Sequence, residues 1–204
     1  MSTVDDLIDH ARYDLRDTDK TLFKTDDELI TYANRGLVQL DNVLSAMKSD
    51  WVYNEADITV IIARNYVATP DGCIAVRSAW IGSTELIKQS PEAIYRERKF
   101  VSSTGQPRYF AEAGTQMIFD YTTDQPYLVK TYYDKRATGL VAGATMPYSS
   151  EFNALIREMV VMMGHKRNEN DMATDAQIYN FFYERMFGNV LRRNHAKPRY
   201  RLDF

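Results

Sequence analysis

Residues 108–133 read RYFAEAGTQMIFDYTTDQPYLVKTYY, and the reading of this stretch decides the fold class. Arg108–Glu112, Met117–Tyr121 and Leu128–Tyr133 are short runs rich in aromatic and apolar side chains, which suit a pleated, half-buried surface. Ala113-Gly114 and Thr122–Pro126 separate them with residues that reach turn conformations at little cost. The spacing predicts a three-stranded antiparallel meander.

Working upstream, Ile58, Val60 and Ile62 alternate with Thr59 and Ile61, the period of a strand. Thr69-Pro70-Asp71-Gly72 is turn chemistry, Cys73 to Ile81 is strand-like, and Gly82-Ser83 marks another turn. Ser90-Pro91-Glu92 reads as the cap and first turn of a short helix reaching Arg98. Residues 135–148 contain Gly139, Gly143 and Pro147 and read as a long loop. Loops of that length in compact domains are mostly functional or partner-bound.

On both flanks the period changes to that of a helix. A stripe of Val4, Leu7, Ile8, Ala11 and Leu15 predicts a first helix with Thr3 as its N-cap. A second opens on Thr25-Asp26-Asp27-Glu28, read as a capping box, and carries Leu29, Ile30, Ala33, Leu37, Leu40, Val43, Leu44 and Met47. A third follows Ser150 with Phe152, Leu155, Ile156, Met159, Val160 and Met163, and is expected to stop at a C-cap near Gly164. The fourth runs from Asp171 or Thr174 to Arg193. Its apolar and aromatic residues, among them Tyr179, Tyr183, Phe187 and Leu191, cover about half the circumference of an ideal helix. Such a face suits either packing between two helices of the chain's own bundle or a second contact with another subunit, and on the latter reading these four are candidate subunit-interface residues. Beyond Asn194, Pro198 and alternating basic and apolar residues suit an extended arm.

The expected fold is therefore α+β: a helical bundle from N- and C-terminal helix pairs, with an inserted antiparallel β lobe and an extended C-terminal arm. The corresponding segments are 1–50 and 149–194 for the bundle, 51–148 for the lobe, and 195–204 for the arm.

A net charge of −3 argues against a general nucleic-acid binder. Charge is uneven, however: residues 1–28 hold nine acidic and four basic side chains, whereas 192–204 hold Arg192, Arg193, Lys197, Arg199 and Arg201 against Asp203 alone. Fourteen tyrosines join two tryptophans and nine phenylalanines, a composition that suits protein contacts as well as cores. Cys73 is the only cysteine, so no intrachain disulfide is expected. The longest apolar runs, Val60-Ile61-Ile62-Ala63 and Met159 to Met163, are far short of a membrane span. The start of the chain carries no basic-then-apolar leader, and the expected site of folding is a reducing cytoplasm.

The chemical inventory is sparse. His10, His165 and His195 sit at helical or tail positions, away from any evident nucleophile. No zinc spacing occurs, and Asn168-Glu169-Asn170-Asp171 with Asp175 lacks the glycine and distal glutamate of an EF-hand. The glycines are dispersed, so no phosphate-cradling loop forms. Glu92, Glu97 or Glu112 could pair as carboxylates in a groove lined by Trp51 or Trp80. That pairing is the basis of an alternative reading as a tail-associated cell-wall hydrolase or glycan-binding protein. The expectation is no catalytic residue, no metal and no cofactor.

Two stretches, 11–18 (ARYDLRDT) and 25–36 (TDDELITYANRG), pair a short helix ending in Arg-Asp with an acidic-capped helix bearing a central Asn. With Trp51, Thr69-Pro70-Asp71-Gly72, Gly105-Gln106-Pro107-Arg108-Tyr109, Tyr127–Tyr133 and a final helix pair after Pro147, the chain resembles the head-to-tail adaptor (connector) proteins of tailed bacteriophages. The resemblance implies a ring of copies, commonly twelve, below the portal protein. It implies partners in the portal and in tail or nozzle proteins, with double-stranded DNA passing through without specific binding and no membrane contact. Its location would be the head–tail junction of the virion, after assembly in the host cytoplasm. The arm that grips the portal would correspond by position to Arg192, Arg193, Lys197, Arg199, Tyr200, Arg201 and Phe204.

Overall fold

The computed structural model describes residues 2–100 and 103–169, together with 177, 180, 183–185 and 188. The chain forms α1 (Val4–Asp14), α2 (Asp27–Ala46), β1 (Tyr53–Val60), β2 (Tyr66–Ala68), β3 (Cys73–Ile81), β4 (Thr84–Lys88), α3 (Pro91–Phe100), β5 (Tyr109–Ala113), β6 (Gln116–Phe119), β7 (Tyr127–Lys135) and α4 (Ser150–Glu169). It divides into two units, one made of residues 1–51 and 137–204, the other of residues 52–136.

The second unit holds one seven-stranded sheet in the order β1-β7-β3-β4-β5-β6-β2. Its outermost strands are consecutive in sequence: β1 ends at Val60 and β2 begins at Tyr66. Six residues reach at most ~21 Å, whereas a flat sheet of this size would part its edges by about 29 Å. The sheet must therefore curl into a near-barrel. Register shifts between β3 and β7, at Cys73/Ala75 and Val76/Ser78, add the local twist that bulges supply.

Strand alternation fills the interior. Along β7, Tyr127, Val129, Thr131 and Tyr133 are buried while Leu128, Lys130 and Lys135 are exposed. The inner set joins Val60, Val76, Leu86, Phe110, Met117 and Phe119 in one core. On the outer face of β5 and β6 a smaller cluster of Ala111 and Ile118 packs under Ile94 of α3. Both faces of these two strands are thus covered there, which explains their nearly continuous apolar run. Arg98 anchors α3 by donating to the carbonyls of Phe119 and Asn65. Where the chain enters and leaves the unit, the Lys135 amide donates to the Val52 carbonyl at 2.7 Å.

In the first unit α4 packs on both α1 and α2. Thr3 caps α1: its hydroxyl accepts from the Asp6 amide at 3.1 Å, and Asp6 accepts from the Thr3 amide at 2.9 Å. The capping box expected at Thr25 and Glu28 does not form. Asp26 is the N-cap and makes no side-chain cap bond, because its carboxylate binds Arg12 instead. Glu28 accepts from the Tyr32 hydroxyl at 2.6 Å and pairs with Arg167. Gly164 does not end α4, which continues to Glu169. A Cβ there would lie 2.8 Å from Leu15 Cδ2, so close approach to Leu15 explains this glycine. Gly36 plays the same part in α2, where a Cβ would stand 3.2 Å from Met159 Cβ.

The expected architecture is corrected on three points. The chain is a mixed α+β structure with a seven-stranded near-barrel sheet, not a helical bundle of N- and C-terminal helix pairs. Among the described residues, α1 and α2 each pack against α4 and barely against one another, because periodicity defines a stripe but not its partner. The sheet is not purely antiparallel either, since β4 and β5 run parallel. The three-stranded meander does not form: β5 and β6 pair, but β7 lies between β1 and β3. Most of the expected fourth helix and the whole arm lie outside the described residues.

Candidate functional site

Of the four interface candidates, only Tyr183 is described; it is helical and 42% exposed. Tyr179, Phe187 and Leu191 lie outside the described residues, as do Arg192, Arg193, Lys197, Arg199, Tyr200, Arg201 and Phe204. What the described residues offer is a set of rigidly held protrusions, and each owes its rigidity to buried polar groups.

The first is the α1–α2 junction. Arg12 is buried in α1, and its guanidinium donates to Asp17 Oδ2 at 2.6 Å and to Asp26 Oδ1 at 2.6 and 2.8 Å. Asp17, fully buried, also accepts from the amides of Leu22 at 2.7 Å and Phe23 at 3.1 Å. Burial alone would raise the Asp17 carboxyl pKa. The two amides and Arg12 outweigh it and hold the carboxyl below its ordinary value. Asp26 is lowered likewise, the bonds from Arg12 and Lys20 outweighing its burial. The network fixes residues 15–26 and presents Tyr13, 74% exposed, with Leu22 also exposed.

The second is the connection over residues 137–149. Far from being loose, it is strapped to its unit. Asn34 of α2 donates to the Leu140 carbonyl at 3.0 Å and accepts from the Leu140 amide at 2.7 Å. Asp41, two turns on, accepts from the Ala137 amide at 3.0 Å and from the buried Tyr148 hydroxyl. Burial, then that carboxylate, drives the Tyr148 pKa far above its usual value. Between these anchors Val141 projects, 62% exposed. The sequence carried a signal for this. Asn34 and Asp41 are polar residues seven apart, beside the apolar stripe of α2, and buried polar groups find partners.

The third is the β1–β2 connection in the near-barrel. The Thr123 side chain is buried; it donates to the Ile61 carbonyl at 2.6 Å and accepts from the Arg64 amide at 3.2 Å. Its backbone exchanges bonds with Ala63 at 2.8 Å and Arg64 at 2.9 Å. Ala63 is held at φ 60°, a conformation disfavoured for a residue with a Cβ. Ile61 and Ile62 stand out from this clamp, 55% and 57% exposed, with Arg64 over the Tyr66 ring beside them. Rigid apolar and Arg–Tyr groups of this kind act as contact anchors between proteins.

The residues singled out for chemistry are dispersed. His10 bonds the Asp6 carbonyl at 2.6 Å within its own helix. Glu112 accepts from the Val76 amide and pairs with Lys88 at 3.1 Å. Burial, then Glu112 and Asp134, push the Cys73 thiol up to about 11, opposite to the shift a nucleophile needs. Among the described residues no group of three His, Cys, Asp or Glu side chains is placed to hold a metal ion.

Compared with known proteins, the chain matches the family model of the SU10 adaptor protein over residues 2–202. No curated protein matches it.

Proposed function

This chain belongs to the SU10 adaptor protein family, a family of phage adaptors, and from that premise we propose that it is the head-to-tail adaptor of a tailed phage. Copies of it form a ring, commonly a dodecamer, below the portal protein. The ring extends the DNA channel and provides the attachment surface for tail or nozzle proteins. The observation that carries this reading is the family match across nearly the whole chain, since a fold alone does not specify a function.

The physical chemistry agrees at several points. Held protrusions at Tyr13, Val141 and Ile61-Ile62 suit a molecule whose work is contact. A net charge of −3 suits a conduit that must not retain the DNA passing through it. None of the described helices is long and apolar enough to cross a membrane, in keeping with a place at the head–tail junction of a virion assembled in the host cytoplasm.

In this reading Tyr179, Tyr183, Phe187 and Leu191 face a neighbouring copy. Arg192, Arg193, Lys197, Arg199, Tyr200, Arg201 and Phe204 form the arm that grips the portal, aromatic groups anchoring it and charges setting its register. Size analysis of the purified chain with and without portal tests the reading. The full chain is expected to co-migrate with portal, and a chain truncated after Asn194 is expected to stay folded but to migrate alone. Unimpaired attachment of the truncated chain would sink the arm assignment. No comigration of the full chain would sink the adaptor reading. The reading assigns no catalysis, so purified cell walls should show no clearance in a turbidity assay.

A further inference from the structure

The near-barrel is left open along one seam. β1 is paired to β7 over its whole length, from Tyr53↔Asp134 to Val60↔Tyr127. On its other side no ladder joins it to a strand among the described residues, since β2, three residues long, pairs only with β6. Inward-facing Ala56 and Ile58 pack against the core yet remain half-buried, and so does Val67 across the seam on β2. On the outer face Glu55 and Asp57 share one lysine: Lys130 pairs with Glu55 at 3.3 Å and is the register partner of Asp57. Two carboxylates against one ammonium leave a negative charge along this edge.

We propose that the open edge of β1 is the docking site for an extended segment of a partner protein, with apolar side chains at every second position and basic ones between. The segment adds to the sheet as an eighth strand. Its backbone pairs the outward N–H and C=O groups of β1, where it displaces Asn54 Oδ1 from the Glu55 amide. Its apolar side chains cover Ala56 and Ile58, and its basic side chains meet Glu55 and Asp57 from the side opposite Lys130. Charge then alternates across three strands, the favourable cross-strand arrangement. A second copy of β1 does not fit, because antiparallel self-pairing would set Glu55 and Asp57 against the same two carboxylates. The strand YNEADITV has no proline and no lysine, so its only edge charges are the two carboxylates. This inference deepens the adaptor reading and rests on it for the partner's place, a component of the head–tail junction. The surface and the chemistry come from the strand itself.

The probes are three eight-residue peptides: valine alternating with lysine, valine alternating with glutamate, and four valines followed by four lysines. Binding to the full chain is followed by NMR. The valine–lysine alternation is expected to bind at least tenfold more tightly than the block peptide of equal composition, with amide shifts centred on residues 53–60. Equal affinity, or shifts centred elsewhere, overturns the proposal. In the double variant Glu55→Lys, Asp57→Lys, both exposed positions, preference is expected to pass to the valine–glutamate peptide; unchanged preference overturns it. Ile58→Ser keeps both carboxylates and is expected to weaken binding severalfold by removing the apolar floor, and no weakening counts against the site. Sizing with portal in parallel separates the two readings. A chain that joins the portal but ignores the alternating peptides sinks this inference alone. One that never joins the portal sinks the adaptor reading, whatever the peptides do.

Discussion

Asp17 accepts from two backbone amides and from Arg12 inside a junction that excludes water. Removing one partner of such a pair leaves the other buried and uncompensated, at a cost of about 3–5 kcal/mol. Asp17→Asn is therefore expected to lower the chemical-denaturation midpoint sharply. The carboxyls of Asp17 and Asp26 are held below their ordinary values in the folded chain, so the unfolded chain takes up protons first as acid is added. Their contribution is complete above the unfolded carboxyl pKa of about 3.9 and declines as pH falls through the lower folded values. Denaturation midpoints should hold steady above about pH 5 and fall below about pH 4, less steeply in Asp17→Asn. Cys73, with its thiol pushed up to about 11, should react far more slowly with iodoacetamide at pH 7 in the native chain than in the unfolded one. Equal rates would contradict that environment. In the sequence the Arg-Asp pair at the end of the first helix, Arg16-Asp17, stands out, but not Arg12 as the partner of Asp17, nor Asp26, which lies inside the stretch that reads as a capping box for α2.

Helices and strands differ in how far they can be read from composition. α1, α2, α3 and the start of α4 follow from stripes and caps: Thr3, Ser90 and Ser149–Ser150 stand where the helices begin. The end of α4 was misread because glycine serves two purposes, left-handed caps and close approach, and Gly164 serves the second. Gly164→Ala must displace Leu15 and is expected to cost about 1–3 kcal/mol by overpacking. In a Leu15→Ala background the further loss from Gly164→Ala should shrink, read as the coupling in a double-mutant cycle of thermal unfolding. β2 and β4 escaped notice because three- and five-residue strands with one inward side chain show too little alternation. Residues 135–148 read as a long functional or partner-bound loop; the polar pair Asn34 and Asp41 signals a partner but does not reveal that this segment is the one they hold. Asn34→Ala should speed amide exchange at Leu140 while leaving the interior of α2 slow; unchanged exchange at Leu140 would show that the strap is held elsewhere.

At the scale of the molecule, the adaptor family was legible and the architecture only partly so. The stretches at 11–18 and 25–36 and the turn motifs of the middle pointed to phage adaptors, and the family match spans residues 2–202. The α+β character followed from the change of period near Trp51. Closure did not, because it depends on β7 leaving the hairpin order to lie between β1 and β3, a long-range choice that local turn chemistry does not encode.

The bond between the Lys135 amide and the Val52 carbonyl has a consequence for ancestry and for engineering. A module whose two ends meet can be gained or lost without rerouting its host. Residues 52–136 have the form of a cassette, and a lineage could exchange them for another fold, or for a turn of a few residues, while the host helices kept their connections. The fragment 52–136, made alone, should give the cooperative melt of an independent domain, and a gradual, featureless one would show that the cassette depends on its host. If it melts cooperatively, the junction of residues 52 and 135 is where a foreign domain could be spliced into a phage adaptor.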